Sequence, residues 1–232
     1  MFHRIKQQLI RNDNISNYLK YAFGEIILVM LGILLALQVS TWNENRKNAE
    51  REQIILQELN KDFSQNLERF QEVKRLQFQT YYSGEVVFRN IQSLQIPESR
   101  DSVFKFVTGM FGGYNYYPSN GVVASLISTG DIRFITNDSL KKYLVSWSDV
   151  LTDYSERVAI DIAFWSNQIE PYVIRNGSFL NIGSAKNKSL VEDPIFINML
   201  VRKQHYNKNV VSAIENKNGI EFYMEKIVQL TN

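Results

Sequence analysis

Few residues in this 232-residue chain could do chemistry, and their spacing restricts what that chemistry would be. Histidine occurs twice, at His3 and His205, and cysteine not at all. A zinc site of the usual kind draws on several His or Cys ligands. Beyond residue 42 only His205 is on offer, inside the polar run Arg202-Lys203-Gln204-His205, where it is expected to be exposed. A Ser–His–Asp arrangement would need that same imidazole, and no serine stands in a strand–turn–helix elbow. Gly112-Gly113 is followed by tyrosines rather than by the Lys-Ser helix start of a phosphate-cradling loop. Paired carboxylates remain: Asp149 and Asp153 lie one helical turn apart, as general acid–base work would require. Solvated helix faces produce such pairs routinely, so catalysis by carboxylates is the remote alternative. No catalytic residue, metal site or cofactor is expected.

Other function classes fall to charge. Residues 1–42 hold four basic groups (Arg4, Lys6, Arg11, Lys20) and two acidic ones (Asp13, Glu25). From chain totals of 26 basic and 24 acidic residues, the rest carries 22 of each. The net charge of +2 therefore sits in the first segment, and the remainder is neutral. A neutral domain has no electrostatic reason to bind nucleic acid. Without cysteine there are no disulfides, which leaves the compartment open. With 14 Phe and 12 Tyr against 4 Pro and 11 Gly, an aromatic core carried on long regular elements is expected.

Among the elements that must position these residues, the first is apolar. Residues 26–37 contain no polar side chain, and the apolar pattern extends from Tyr21 to Trp42. A bilayer core needs ~20 helical residues at about 1.5 Å each. Residues 21–42 meet that length if Glu25, Gln38, Ser40 and Thr41 are included. Tyr18, Tyr21 and Trp42 read as interfacial anchors. A cleaved signal peptide is disfavoured, because Gln38-Val39-Ser40 is not a small-x-small cleavage site. A buried helix of a soluble domain fits the charged flanks and aromatic ends poorly. Basic residues in the first 20 positions outweigh those in residues 43–60, where Arg46, Lys47 and Arg51 face four glutamates. Residues 1–20 are thus expected in the cytoplasm, 21–42 across the inner membrane, and 43–232 as an extracytoplasmic domain.

Glu25 supports two readings. It can snorkel to the headgroups or be protonated. Alternatively, at about 100° per residue, Glu25, Gly32, Ala36 and Ser40 fall on one helical face. Small residues every fourth position let helices approach closely, with a polar group bonding across. A second copy associating through this face is therefore an expected partner, beside the lipid bilayer and a protein partner.

Beyond the span, Leu56, Leu59, Phe63, Phe70 and Val73 follow 3-4 spacing, with Leu67 flanking and Asn66 and Gln77 on the stripe. One amphipathic helix from Asn45 to about Gln92, continuous with the apolar one, is expected to pack in its own domain rather than as a coiled coil. Residues 94–102 read as a connection around Pro97, and 103–111 as a short helix. Tyr114, Tyr116 and Tyr117 form an aromatic loop, read as the edge of a core before a recognition surface. Residues 121–129 are expected to be helical with Gly130 as cap, and 131–135 a turn. Asn137-Asp138 opens a long helix striped by Leu140, Leu144, Trp147, Leu151, Tyr154, Val158, Ile162 and Trp165, closed by Pro171. Residues 172–193 read as loop with a short hairpin. Asp193-Pro194 starts a last helix running to the end, bent at Asn218-Gly219. The fold class is all-α: a single transmembrane helix continuing into an antiparallel helical bundle.

Two blocks carry a resemblance. YLKYAFGEIILV (18–29), GILLALQ (32–38) and WNENRK (42–47) form the first, and LISTGDIRFITNDSL (126–140) the second. They resemble an uncharacterised family of bacterial membrane-anchored proteins, a domain of unknown function, with the opening signature KYxxYAxGEIxLVxxGIxIALQxxxWNExRK. The resemblance implies a Gram-negative inner-membrane protein with one span, and no activity. Together these readings favour a non-catalytic interaction or scaffold module of the envelope. An accessory or sensor-like subunit of a membrane complex is the alternative.

Overall fold

The computed structural model describes residues 15–232, with side chains from residue 18 onward. His3 and three of the basic residues behind the orientation argument (Arg4, Lys6, Arg11) lie outside the described residues, as does most of segment 1–20. The described residues are mostly helical, with no strand among them, as the all-α reading requires. Contacts divide the chain into two compact units, Met1–Gln53 and Ile54–Asn232. A single helical element, α1 (Ile15–Arg89), contributes to both.

In the first unit the apolar side chains face away from the chain. Leu28 is 74% exposed, Leu35 62% and Val39 65%. The most apolar window of α1 reaches a mean hydropathy of 2.3 with none of it buried, so α1 is long and apolar enough to cross a membrane. Tyr18, Tyr21 and Trp42 are exposed, and the Arg46 guanidinium lies 5.8 Å from the Trp42 ring centroid. Gly24 and Gly32 meet nothing within 4 Å. Glu25, Ala36 and Ser40 are exposed as well.

The second unit begins with the rest of α1. Here Ile55, Leu59, Phe63, Asn66, Phe70, Gln77, Thr80, Gly84 and Val87 are buried on the alternating three- and four-residue spacing of one helix face. A 3₁₀ turn (Ile91–Gln95) leads into α2 (Pro97–Gly109). The expected connection over 94–102 is therefore helical from Pro97 onward. Pro97 takes the first helical position, where its missing N–H costs nothing, and so opens the helix rather than interrupting it. After an irregular segment come α3 (Gly121–Thr129) and a 3₁₀ turn (Asp131–Phe134). Gly130 joins them at φ 75°, the left-handed cap anticipated from the sequence, with its N–H donating to the Ile127 carbonyl.

Helix α4 (Asp138–Phe164) starts where expected, the Asn137 side chain accepting from the Leu140 N–H at 3.1 Å. It does not end at Pro171. A π-helical turn (Trp165–Ile169) follows, and α5 (Glu170–Asn176) continues with Pro171 in its first turn. The proline lacks the N–H that an α-helix would use and crowds the preceding carbonyls. The wider turn, in which Glu170 N–H bonds the Trp165 carbonyl, takes up that conflict without ending the helix. Residues 172–193 contain no hairpin: α6 (Ala185–Ser189) and a 3₁₀ turn (Leu190–Glu192) occupy the space. Helix α7 (Pro194–Glu215) starts with Asp193 accepting from Ile195 N–H. The expected bend is a full break, after which α8 (Ile220–Leu230) is a separate helix. The backbone leaves the helix at Asn216 (ψ 143°), and the turn brings Gly219 so near the preceding helix that a Cβ there would lie 2.4 Å from the Ala213 carbonyl oxygen.

Two apolar clusters hold this unit. One joins α1, α3, α4, α7 and α8 around Phe63, Phe70, Trp147 and Tyr154; Phe63 meets Trp147 edge-on at 5.1 Å. The other joins α1, α2, α5 and α7 around Phe104, Met110, Ile169 and Phe196.

Candidate functional site: an aromatic cavity beside a buried polar layer

Between the two clusters lies a layer of polar side chains on helix faces that are otherwise apolar. Gln77 and Thr80 on α1, Asp161 on α4, and Lys203, Gln204 and Asn207 on α7 are all 5% exposed or less. Burying such groups is costly unless each finds a partner. Their partners are largely backbone carbonyls of the irregular segment after α2. Asn207 Nδ2 donates to the Met110 carbonyl at 3.1 Å, Lys203 Nζ reaches the Gly112 carbonyl at 3.5 Å, and Gln77 Nε2 donates to the Tyr114 carbonyl at 2.7 Å. Farther along, Asn66 binds Ser119 twice, accepting from its N–H at 2.9 Å and donating to its carbonyl at 2.8 Å. Buried backbone outside helices must bond somewhere, and the amides on α1 and α7 supply the bonds. Asn66 and Gln77, which break the apolar stripe in sequence, hold the aromatic loop in place.

Of that loop's three tyrosines one packs into the core as the core-edge reading expects, and one does not. Tyr116 is 5% exposed, its hydroxyl donating to the Asn66 carbonyl at 2.7 Å, and burial pushes its pKa up. Tyr117, by contrast, is 81% exposed. Gly113 sits where a Cβ would come 2.5 Å from Ile162 Cγ1, so the glycine pair lets the loop pass close to α4.

Asp161 and Lys203 form an ion pair at 2.6 Å with both side chains fully buried. Burial raises the Asp161 pKa and lowers that of Lys203, while their mutual attraction opposes both shifts. Each charge is therefore favoured by the other against the cost of its burial. In sequence Lys203 and Gln204 stand in a polar run with His205, which conceals that both are buried. A signal is present: Leu200, Lys203, Asn207, Val210 and Ile214 repeat at three and four, so Lys203 stands on the apolar face. His205 is exposed as anticipated, and lies 3.3 Å from Asn209 Nδ2. Asp149 is exposed, and Asp153 is paired with Arg157 at 2.9 Å, as members of a solvated face.

Beside the polar layer a cavity of about 400 Å³ opens among α2, Gly112, the π turn, α5, α6 and α7. One wall is Phe111 stacked on Trp165, centroids 4.8 Å apart and 29° between planes. Phe104, Val107, Val173 and Phe196 line the floor. Part of the mouth is the 178–182 segment, where Phe179 is 50% exposed, Ile182 52% and Leu180 99%. Buried Asn187 fixes this segment. It accepts from the Ser178 N–H at 2.7 Å and donates to the carbonyls of Ser178, Asn181 and Ile182. No group of three or more His, Asp or Glu that could hold a metal occurs among the described residues.

The fold and this site define a class: an all-α domain with an aromatic-lined cavity, carried behind an N-terminal helix of membrane-spanning length and apolarity. The profile of a family of unknown function, DUF6090, matches residues 25–207, and the chain belongs to that family. The match takes in the second block of the resemblance (126–140) and the first from Glu25 onward. No curated protein and no solved structure matches the chain.

Proposed function

We propose that the chain is a membrane-anchored, non-catalytic binding module of the bacterial envelope. In this reading residues 21–42 span the inner membrane, 1–20 are cytoplasmic, and 43–232 form the extracytoplasmic domain. The carrying observation is the mismatch between the two units. The apolar side chains of 26–37 are exposed among the described residues, whereas the domain buries an aromatic core. Removing the apolar run from water stabilises insertion by roughly 0.8 kcal/mol per methylene. A binding role draws on the cavity, whose wall offers aromatic and aliphatic surface of the kind that holds ligands.

The face of Glu25, Gly32, Ala36 and Ser40 supports association of two copies within the membrane, since among the described residues nothing lies within 4 Å of a Cβ at Gly32. The second reading, an accessory or sensor-like subunit, draws on α1. One helical element contains both the apolar run and the stripe that packs the domain.

Because the chain has no cysteine, single introduced cysteines report sidedness without background. Lys217→Cys, on the exposed α7–α8 connection, is expected to react with an impermeant maleimide in intact spheroplasts. Gln8→Cys is expected to react only after lysis. The reverse pattern overturns the orientation, and release of the full chain by carbonate overturns the anchor. Loss of crosslinked dimer in Gly32→Ile with Glu25→Leu tests the association face.

A further inference from the structure

The cavity's chemistry narrows what it can hold. Its wall is built from Phe, Trp, Val, Ile, Leu and glycine with a few neutral polar groups, and no side chain lining it carries a charge. A charged group buried there would lose its hydration with nothing to replace it. The Asn187 side chain already spends its hydrogen-bonding capacity on the 178–182 backbone. Thr108 Oγ1 points back to the Lys105 carbonyl. A ligand would therefore be gripped by apolar contact rather than by an array of polar bonds. At about 400 Å³ the space suits one slender molecule, at the lower end of the ~300–1,000 Å³ range of small-ligand sites.

The mouth adds an independent observation. Phe179, Leu180 and Ile182 stand exposed within four residues, held outward by the Asn187 knot rather than folded onto the core. Arg175 and Lys186 are exposed on the flanking helices. An apolar tip with basic flanks matches an amphiphile whose tail is hydrocarbon and whose head is anionic.

We infer that the cavity binds one linear acyl chain, entering past residues 178–182 with its anionic headgroup left outside near Arg175 and Lys186. This rests on the membrane-anchored reading, which puts the chain in permanent company with acyl chains. Two sources share the chemistry, a phospholipid tail and a free fatty acid. Each methylene buried adds roughly a four-fold gain in affinity, so a filled cavity needs no polar contact for tight binding.

The test uses the full-length chain in nanodiscs of phosphatidylethanolamine and phosphatidylglycerol. One arm contains a phospholipid with a mid-chain diazirine, the other a free fatty acid bearing the same group. After illumination, adducts are mapped by peptide mass. The expected result is labelling of Phe111, Trp165 or residues 179–182 in addition to residues 21–42. The arm that labels the cavity identifies the source. Thr108→Phe and Ser178→Phe, which fill the cavity from its rim, should each cut cavity adducts at least about ten-fold while span adducts stay constant. Excess unlabelled fatty acid should suppress cavity adducts, and not span adducts, in the unsubstituted chain, so the answer does not depend on either variant folding. Labelling confined to 21–42 in both arms, or cavity labelling indifferent to both fillers and competitor, overturns the inference and leaves the anchor standing. An unlabelled 21–42 segment overturns the anchor reading itself.

Discussion

Replacing Lys203 by Met keeps most of its aliphatic stem and removes the charge that Asp161 needs. Both side chains are fully buried and 2.6 Å apart, so the surviving carboxylate has no solvent to turn to. Breaking a buried pair from one side costs about 3–5 kcal/mol, and Lys203→Met and Asp161→Leu should each fall in that range. The double variant removes both charges. Its remaining polar cost is the Gly112 carbonyl, which loses a long 3.5 Å contact, worth about 1 kcal/mol. The double variant should therefore be more stable than either single one, with a coupling of at least about 2 kcal/mol. Any overpacking by the larger leucine side chain in Asp161→Leu enters that single variant and the double variant alike and cancels in the cycle.

The pH dependence separates the two halves of the argument. In Lys203→Met the buried Asp161 has its folded pKa raised above its ordinary 3.8. Its contribution is greatest below that value and is lost as pH rises through the folded pKa, so this variant loses stability, relative to the parent, as acid is neutralised. In Asp161→Leu the lone Lys203 has its folded pKa depressed below 10.5. Its contribution is present above 10.5 and lost as pH falls through the folded value, so this variant gains stability toward alkaline pH. Urea denaturation of the full chain in mild detergent, followed by near-ultraviolet circular dichroism, reads both slopes. Additive single variants, or parallel pH slopes, would refute the claim that the two buried charges support each other.

Two further substitutions probe single features. Gly130→Ala should cost about 1–2 kcal/mol in the same denaturation assay, because nothing lies within 4 Å of the site and only the φ of 75° resists the methyl group; no loss would mean that the cap relaxes freely. Asn66→Leu leaves the half-exposed Ser119 N–H and carbonyl without their protein partner, and a loss of about 2 kcal/mol with faster chymotryptic cleavage after Tyr114 or Tyr116 is expected.

Much of the fold was legible because it rests on periodicity and caps. The apolar run at 26–37, the Asn137 and Asp193 helix starts and the Gly130 stop depend on a few adjacent residues, and the structure keeps them where the residues put them. Pro171 misled because its rule is local while the remedy, a π turn over Trp165–Ile169, uses tertiary packing around Ile169. Asn218-Gly219 marked a bend between α7 and α8, but the full exit from the helix at Asn216 and the approach of Gly219 to the Ala213 carbonyl are tertiary features that no spacing announces. The site was the least legible part. Its cavity is assembled from segments more than 80 residues apart, between Phe104 and Phe196. Asp161 and Lys203 are ordinary surface types in a list, and only their phase against Val158 and Leu200 betrays that they are inside.

Gly84 shows how far the polar layer dictates its surroundings. Glycine inside a helix is less favourable than alanine by about 1 kcal/mol, so an isolated α1 would prefer alanine at this position. In the domain, a Cβ at Gly84 would stand 1.7 Å from Gln204 Oε1. The glycine makes room for Gln204, whose Nε2 donates to Glu85 at 2.7 Å and approaches the Tyr81 carbonyl at 3.4 Å. That bond to Glu85 is also the largest cause holding the Glu85 pKa below the usual carboxylate value. Gln204 is flexible, so Gly84→Ala should displace the amide rather than unfold the helix. The gain in helix propensity and the loss of the Glu85 bond then offset each other to within about 1 kcal/mol. With Gln204→Ala already in place nothing opposes the methyl group, and the same substitution should stabilise by the full propensity difference of about 1 kcal/mol. The two backgrounds differ only if the α1–α7 contact at this level is set by the amide. Equal effects of Gly84→Ala in both would mean that the glycine serves some other purpose, and that the polar layer does not govern the approach of the helices.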